Sequence, residues 1–260
     1  MNNDKQDRVD EVSQYYKPAE KLAVIEAWLF WLTAAVSLSI PYSAVFGVYI
    51  QNIFYAVFLS FVVAHFSISQ FSRFHLVPKA EHKRRQQMLS DAFGTPLSHD
   101  TTSLYYNNNY SPSVMRLGAN IMENSLFSKE IVAKMLVKSR IITGSYIITW
   151  VFIFALRHDN INVLVWVTQL VFSGAIVVQW LHLEILRIRH ENTYDMLHFH
   201  FLHGIGGDSQ KAIATVLDSF VSYESAKAAS GTLLSSKIFY ELNPSLMEKW
   251  VQIRRELNMD

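Results

Sequence analysis

The chain has 260 residues, half of them hydrophobic and 13% aromatic, with a formal charge of +1. So small a net charge excludes bulk electrostatic attraction to a polyanion, and the absence of cysteine excludes disulfides and thiolate metal sites. Function must therefore be sought in local patterns.

Residues 1–26 are polar and mixed in charge, which predicts an N-terminal cytoplasmic tail rather than a cleaved signal peptide. The next 46 residues, 27–72, contain no Asp, Glu, Lys or Arg. A helix crosses the hydrocarbon core in about 20 residues, so this run is too long for one crossing and suits two. The reading is a first transmembrane hairpin, with helices over 28–40 and 42–67 and Pro41 at the turn.

In the second of these helices Gln51, Tyr55, Phe58, Val62, His65 and Ser69 recur at spacings of three and four, drawing one stripe. Two readings fit it: a pore-lining face with an aromatic constriction, or a seam between helices.

Residues 73–140 form a cytoplasmic insert. It opens on a basic patch, Arg73, Lys79, Lys83, Arg84 and Arg85, opposed only by Glu81. Such a patch suits lipid phosphates, a nucleotide, or simply the positive-inside rule of membrane topology. Helical composition over 79–92 ends at Gly94-Thr95-Pro96, and residues 100–112 are turn-rich. Within them Tyr105, Tyr106, Asn107, Asn108, Asn109 and Tyr110 offer π-faces and amides to nucleotide bases, or pack as an ordered linker. Helices are expected over 113–122 and 128–139, with Ser113 and Ser128 as caps.

A second transmembrane hairpin is expected over 141–183, with helices at 141–156 and 160–183 flanking Arg157. The first of the two is only about 24 Å long at 1.5 Å per residue, so Arg140 and Arg157 must reach the interfaces. The polar side chains of this hairpin include Thr143, Ser145 and Thr149 in its first helix and Thr168, Gln169, Ser173 and Gln179 in its second. Of the 23 Lys and Arg residues, only Arg157 sits in a short connection, which places both termini and the insert in the cytoplasm.

Residues 184–260 read as a C-terminal cytoplasmic helical segment. The fourth span should continue unbroken through 202 and stop at Gly204, Gly206 and Gly207. Asp208 or Ser209 then caps a helix to about 229, and Pro244 separates a short piece over 234–242 from a last helix ending near Leu257. Strand signals are weak, so the fold class is an all-α membrane protein with four transmembrane helices in two hairpins. Its helical cytoplasmic domain is built from the insert and the C-terminal segment.

Five histidines, His182, His190, His198, His200 and His203, fall within 22 residues, near Glu191 and Asp195. On a helix His200 and His203 share a face while His198 points away, so the run offers a pair of ligands for a divalent ion or a set of packed histidines. Gly204 through Lys211 has glycines ahead of a helix but lacks the order of a Walker A loop, and reads as a helix-ending turn. No catalytic residue, metal or cofactor is assigned and an enzyme is not expected; the rival readings are a membrane-bound metal-dependent enzyme using the His182 to His203 cluster and a non-conducting membrane receptor or scaffold.

The layout resembles a bacterial antiphage family, the four-transmembrane pore-forming effectors associated with SMODS-type nucleotidyltransferases. The resemblance rests on the charged helix Lys83-Arg84-Arg85-Gln86-Gln87-Met88-Leu89-Ser90-Asp91-Ala92-Phe93 and the asparagine and tyrosine linker of 106–112. The helical stretch 116–135, the segment Leu234-Ser235-Ser236-Lys237-Ile238-Phe239-Tyr240-Glu241-Leu242-Asn243-Pro244, and Trp250 and Arg254 complete it. The membrane effector of the Hailong system is similar in layout.

The resemblance implies an effector of abortive infection in the bacterial inner membrane. A nucleotide or oligonucleotide signal from a partner nucleotidyltransferase, bound in the cytoplasm, would control a homo-oligomeric pore, a tetramer being favoured, and so depolarise the membrane. The implied signal site comprises Lys83, Arg84, Arg85, Tyr105, Tyr106 and Arg116, with Arg254 and Arg255. Moving such a pore from mostly closed to mostly open requires about 5 kcal/mol of differential binding, which several sites in a symmetric oligomer can supply.

Overall fold

A computed structural model of the chain describes residues 9–103, 105–155, 163–204 and 209–259. Expectations resting on Arg157, Gly206, Gly207 and Asp208 lie outside these residues, as do those resting on the side chains of Pro41, Thr168, Gln169 and Ser173. The fold is all-α, about 85% helical. Its helices are α1 (Lys17–Ser43), α2 (Val48–Phe71), α3 (Val77–Phe93), α4 (Val114–Ala155), α5 (Val163–Leu202), α6 (Gln210–Ser230) and α7 (Ser236–Glu256). Two strands of two residues each, β1 (Val9–Asp10) and β2 (Thr102–Ser103), pair antiparallel with Val9 opposite Ser103 and Asp10 opposite Thr102.

The chain divides into two units. The first comprises Met1–Tyr16, Val77–Val137 and His182–Asp260, and the second Lys17–Leu76 and Lys138–Leu181. Helices α4 and α5 therefore each belong to both.

The second unit carries two helices long and apolar enough to cross a membrane, Lys17–Ile40 and the apolar part of Val48–Phe93. Only 22% and 6% of their apolar windows are buried, so neither is the core helix of a soluble domain, whose apolar side would face inward. Trp28, Trp31, Phe46, Tyr49, Val63 and Phe66 all point outward. What is buried is a seam, with Phe58 and Ile40 packed together and Ala34 meeting Tyr146 and Ile176.

The hairpin does not turn where the proline suggested. Helix α1 runs through position 41 to Ser43, and the reversal comes after a single 3-10 turn at Ala44–Phe46. A proline this close to a helix end removes only one backbone bond, whereas Gly47 adopts φ 98°, a conformation that side chains disfavour. Glycine makes the turn. Helix α1 also begins at Lys17, inside the segment read as a tail.

The first unit has one apolar core to which five helices contribute: Met88 and Ala92 of α3, Leu117, Ile121, Met122 and Leu126 of α4, Leu197 and Phe201 of α5, Val216 and Tyr223 of α6, and Leu246, Trp250 and Ile253 of α7. The insert and the C-terminal segment thus share one interior. Gly118 lets the helices approach, since a Cβ there would sit 3.0 Å from Val216 and 3.3 Å from Phe201.

Two expected breaks are absent. Ser128 is an interior residue of α4 rather than a cap, because Leu126, Phe127, Ile131 and Val132 continue the buried face across it. Pro244 likewise lies inside α7. Buried Leu246, Trp250 and Ile253 on one side of it and core-packed Ile238, Phe239 and Leu242 on the other hold the two halves in register, and this burial outweighs the lost hydrogen bond. The caps Ser113 and Ser209 do form: the Arg116 amide donates to Ser113 Oγ at 3.2 Å and the Ala212 amide to Ser209 Oγ at 3.1 Å.

Candidate functional site

The turn-rich segment between α3 and α4 forms a strap, and Lys83, Arg84, Arg116 and Arg254 among the cations singled out from the sequence contact its described residues. Lys83 pairs with Asp100 at 3.3 Å and lies 5.4 Å from the centre of the Tyr15 ring. Tyr15 in turn donates to Asp100 at 3.0 Å. Arg84 grips Asp10 with both terminal nitrogens, at 3.0 and 2.9 Å, while its guanidinium lies 4.3 Å from the Tyr105 ring centre. Arg85 faces elsewhere, towards Glu224 at 3.6 Å and His82 at 2.8 Å.

Tyr106 stacks edge-on against Tyr105 and is packed on the core, with its hydroxyl receiving the Asn124 amide at 3.4 Å. Burial raises its pKa well above the usual phenol value, so it stays protonated. Asn107 is the strap's anchor. Its backbone and side-chain N–H groups donate to Glu123 at 3.1 and 2.7 Å, and its carbonyl receives Trp250 Nε1 at 2.9 Å and Arg254 Nη1 at 2.7 Å. Asn108 donates to Asn120 at 2.7 Å, which donates to Asp91 at 2.9 Å, the carboxylate that Arg116 holds at 2.7 and 3.1 Å.

The eight residues of the expected signal site therefore divide. Arg84 brings together Asp10 of β1 and Tyr105, with Tyr106 edge-on to Tyr105, while Lys83 meets Asp100 and Tyr15. Arg116 and Arg254 hold the strap further along, and Arg255 is exposed on α7 beside Glu248 and Gln252. Each of Lys83, Arg84, Arg85 and Arg116 has a carboxylate partner. Of the basic patch, Lys83, Arg84 and Arg85 are thus each matched by a carboxylate in the fold.

Behind this site lies a buried ion cluster that sequence spacing did not reveal. Lys227 of α6 bonds Glu81 of α3, and also Glu224 at 3.0 Å, with the Tyr223 ring centre at 4.9 Å. Burial alone would lower its pKa, but Glu81, Tyr223 and Glu224 together raise it well above the usual lysine value. The charged form is the one the fold selects.

The histidines scatter. His190 and His200 are buried on the inner side of α5, both ring nitrogens of each without a hydrogen-bond partner among the described residues. His198 stacks on Tyr194 at 5.6 Å, and exposed His203 packs on Phe199, with its Nδ1 2.8 Å from the Phe199 carbonyl. His200 is buried, whereas His203, one residue past the end of α5, is exposed against Phe199. Among the described residues no three His, Cys, Asp or Glu side chains gather as a metal site.

Burial, and secondarily the Lys227 charge, lowers the His190 pKa to about 3. The folded state therefore binds this proton less readily than the unfolded chain, whose histidine titrates near 6.5, and stability is lost as pH falls through and below that value. By pH 5 the loss is about 2 kcal/mol. His190→Leu should remove that part of the pH dependence, read as the difference in urea midpoint between pH 7 and pH 5; identical pH dependence in the two proteins would contradict it.

In the second unit Gln51, Tyr55, Phe58, Val62, His65 and Ser69 form the least exposed face of α2, with Phe58 only 2% exposed against Ile40. Tyr55, Phe58, Val62 and His65 of this stripe make the seam with α1. A different stripe, Asn52, Ala56, Ser60, Val63 and Ser67, is exposed along the same helix at helical spacing. Sequence reasoning passed over it because bulkier neighbours dominate the pattern.

Comparison with protein-family models, curated proteins and solved structures finds no match. The reading of function rests on the residues themselves.

Proposed function

We propose that the protein is a ligand-controlled membrane pore, an oligomeric effector of phage defence of the type its layout resembles, with a nucleotide signal recognised by the first unit. The observation that carries this reading is the exposure of α1 and α2: helices with 22% and 6% of their apolar windows buried are compatible with lipid and not with water. A first unit with its own core and a strap lined by Lys83, Arg84 and Tyr105 supplies a place for an anionic ligand. The four-span topology with cytoplasmic termini in the inner membrane belongs to this proposal.

Conduction needs several copies, because so few helices leave no room for an internal pore. Support for a homo-oligomer comes from Ile185, Ile188, Phe199 and Leu202 of α5 and Leu217 and Val221 of α6, all exposed, whereas the exposed side of α7 is polar apart from Tyr240. A tetramer fits the proposal. In it, the stripe Asn52, Ala56, Ser60, Val63 and Ser67 faces water or a neighbouring copy, since polar side chains in a bilayer avoid lipid, while the Tyr55 to His65 seam supports it from behind.

Ser60→Leu should therefore cut ion flux from liposomes at least about tenfold by narrowing and dewetting the path, with the amount of inserted protein unchanged. Flux equal to wild type in inserted protein would remove the stripe from the conduction path. The pore reading itself is tested by flux through liposomes holding the wild-type protein, with and without the product of a partner nucleotidyltransferase.

A further inference from the structure

We propose that the Arg84 guanidinium is a phosphodiester-binding group whose position is held, in the structure described here, by the carboxylate of Asp10. The inference rests on the nucleotide-controlled reading above and specifies how its ligand site is regulated. A nucleotide anion binds as β1 leaves β2.

Three observations carry it. The first is geometric: Asp10 presents two oxygens to two guanidinium nitrogens at 3.0 and 2.9 Å, the same planar fork that accepts two non-bridging oxygens of a phosphate. The Tyr105 ring, 4.3 Å away, fixes the plane of that fork. Lys83, next in sequence, is likewise matched by a carboxylate, Asp100, two residues before β2. Two adjacent cations with two carboxylates on them suit a ligand carrying more than one phosphodiester.

The second is the weakness of the attachment. β1 has two residues, and a two-stranded ladder of this length is not stable by itself in water. It is supplemented by Glu11, whose amide donates to the Thr101 carbonyl at 3.3 Å and whose carboxylate receives the Thr101 amide at 2.7 Å and hydroxyl at 2.9 Å, and by Ser13 Oγ, which donates to the Asp10 carbonyl at 2.8 Å, the side-chain bonds being exposed. Val12 is fully buried, so it is the fixed point, and opening is confined to the residues before it.

The third is that the competitor is internal. A tethered carboxylate competes at high effective concentration, so a solution anion succeeds only if it brings more charge or more contacts than Asp10. An oligonucleotide does, and a single small anion does not. The contact thus acts as a threshold on the signal.

The chain contains no cysteine, so Val9→Cys with Ser103→Cys, opposite each other in the ladder, introduces a single pair that oxidation can join and reduction can free. The experiment measures binding of fluorescein-labelled linear tetradeoxynucleotides and cyclic di- and trinucleotides to the full chain in detergent, with inorganic phosphate as competitor. Asp10→Asn should tighten binding of at least one probe about tenfold, and oxidation of the double-cysteine protein should weaken it about tenfold relative to the same protein reduced. Arg84→Ala should lose binding, and Arg84→Lys, which keeps the charge without the fork, should not restore it.

Equal affinity in oxidised and reduced protein, unchanged affinity in Asp10→Asn, or no probe bound by Asp10→Asn would each overturn the proposal. Displacement of the probe by millimolar phosphate would overturn the phosphodiester assignment in favour of free phosphate. Nucleotide-dependent flux that persists in the oxidised protein would remove this site and leave the pore reading standing, whereas absence of any flux from wild type would remove the pore reading without touching the binding result.

Discussion

Replacing Lys227 with Met is expected to destabilise the first unit by about 3–5 kcal/mol, the cost of leaving buried carboxylates without their cation. Lys227 is the only cation bonded to Glu81 in the ion pairs described, whereas Glu224 also has Arg85 at 3.6 Å. The loss therefore falls mainly on Glu81. Its partner variant is informative: Lys227→Met with Glu81→Gln removes both charges together and should recover most of the stability, because a neutral pair of similar size carries no desolvation penalty. Amide exchange in α3 and α6, together with the urea midpoint, reads both. Equal destabilisation in the single and double variants would mean that shape rather than charge holds the cluster.

Trp250→Ala is expected to cost about 4 kcal/mol, since the side chain is wholly buried where α7 meets α4 and the strap. Part of this is the hydrogen bond from Nε1 to the Asn107 carbonyl. That carbonyl keeps Arg254 as a donor, so Trp250→Phe should lose only about 1 kcal/mol. A thermal melt that separates the alanine from the phenylalanine variant supports cavity formation as the main term; equal melts for the two would place the energy in the hydrogen bond. The alanine variant should also expose the strap amides near Asn107 to exchange, linking this packing to the site around Arg84.

Much of the helical architecture was legible in the sequence because it depends on local pattern. The uncharged run 27–72, the caps at Ser113 and Ser209 and the unbroken passage of α5 to Leu202 follow from periodicity and capping chemistry. The errors are equally physical. Ser128 and Pro244 are local signals that tertiary burial overrode, most plainly at Pro244, where core contacts lie on both sides of it, while the first hairpin reverses at Gly47 rather than at position 41. A local rule states a preference of one or a few kcal/mol, and a buried face of several large side chains exceeds it.

The candidate site was legible by residue type and not by arrangement. Arg84 and Tyr105 do meet, but the groups that decide the chemistry of Arg84 and Lys83, Asp10 and Asp100, lie 74 residues before Arg84 and 85 residues beyond Tyr15. Glu81, Glu224 and Lys227 form their cluster across α3 and α6 in the same way. No spacing rule reaches across such intervals, because what brings these groups together is the packing of the first unit's core. The stripe Gln51 to Ser69 teaches a related lesson: helical spacing identifies residues on one face, but only packing says whether that face meets α1 or water.

The most direct test of the proposed ligand-controlled pore is ion flux through liposomes containing the purified wild-type protein, measured with and without added nucleotide oligomers. The account predicts flux that changes when the nucleotide is added, in one direction or the other, and that is reduced by Ser60→Leu. Liposomes that stay sealed in both conditions, with the protein inserted and folded, would contradict it.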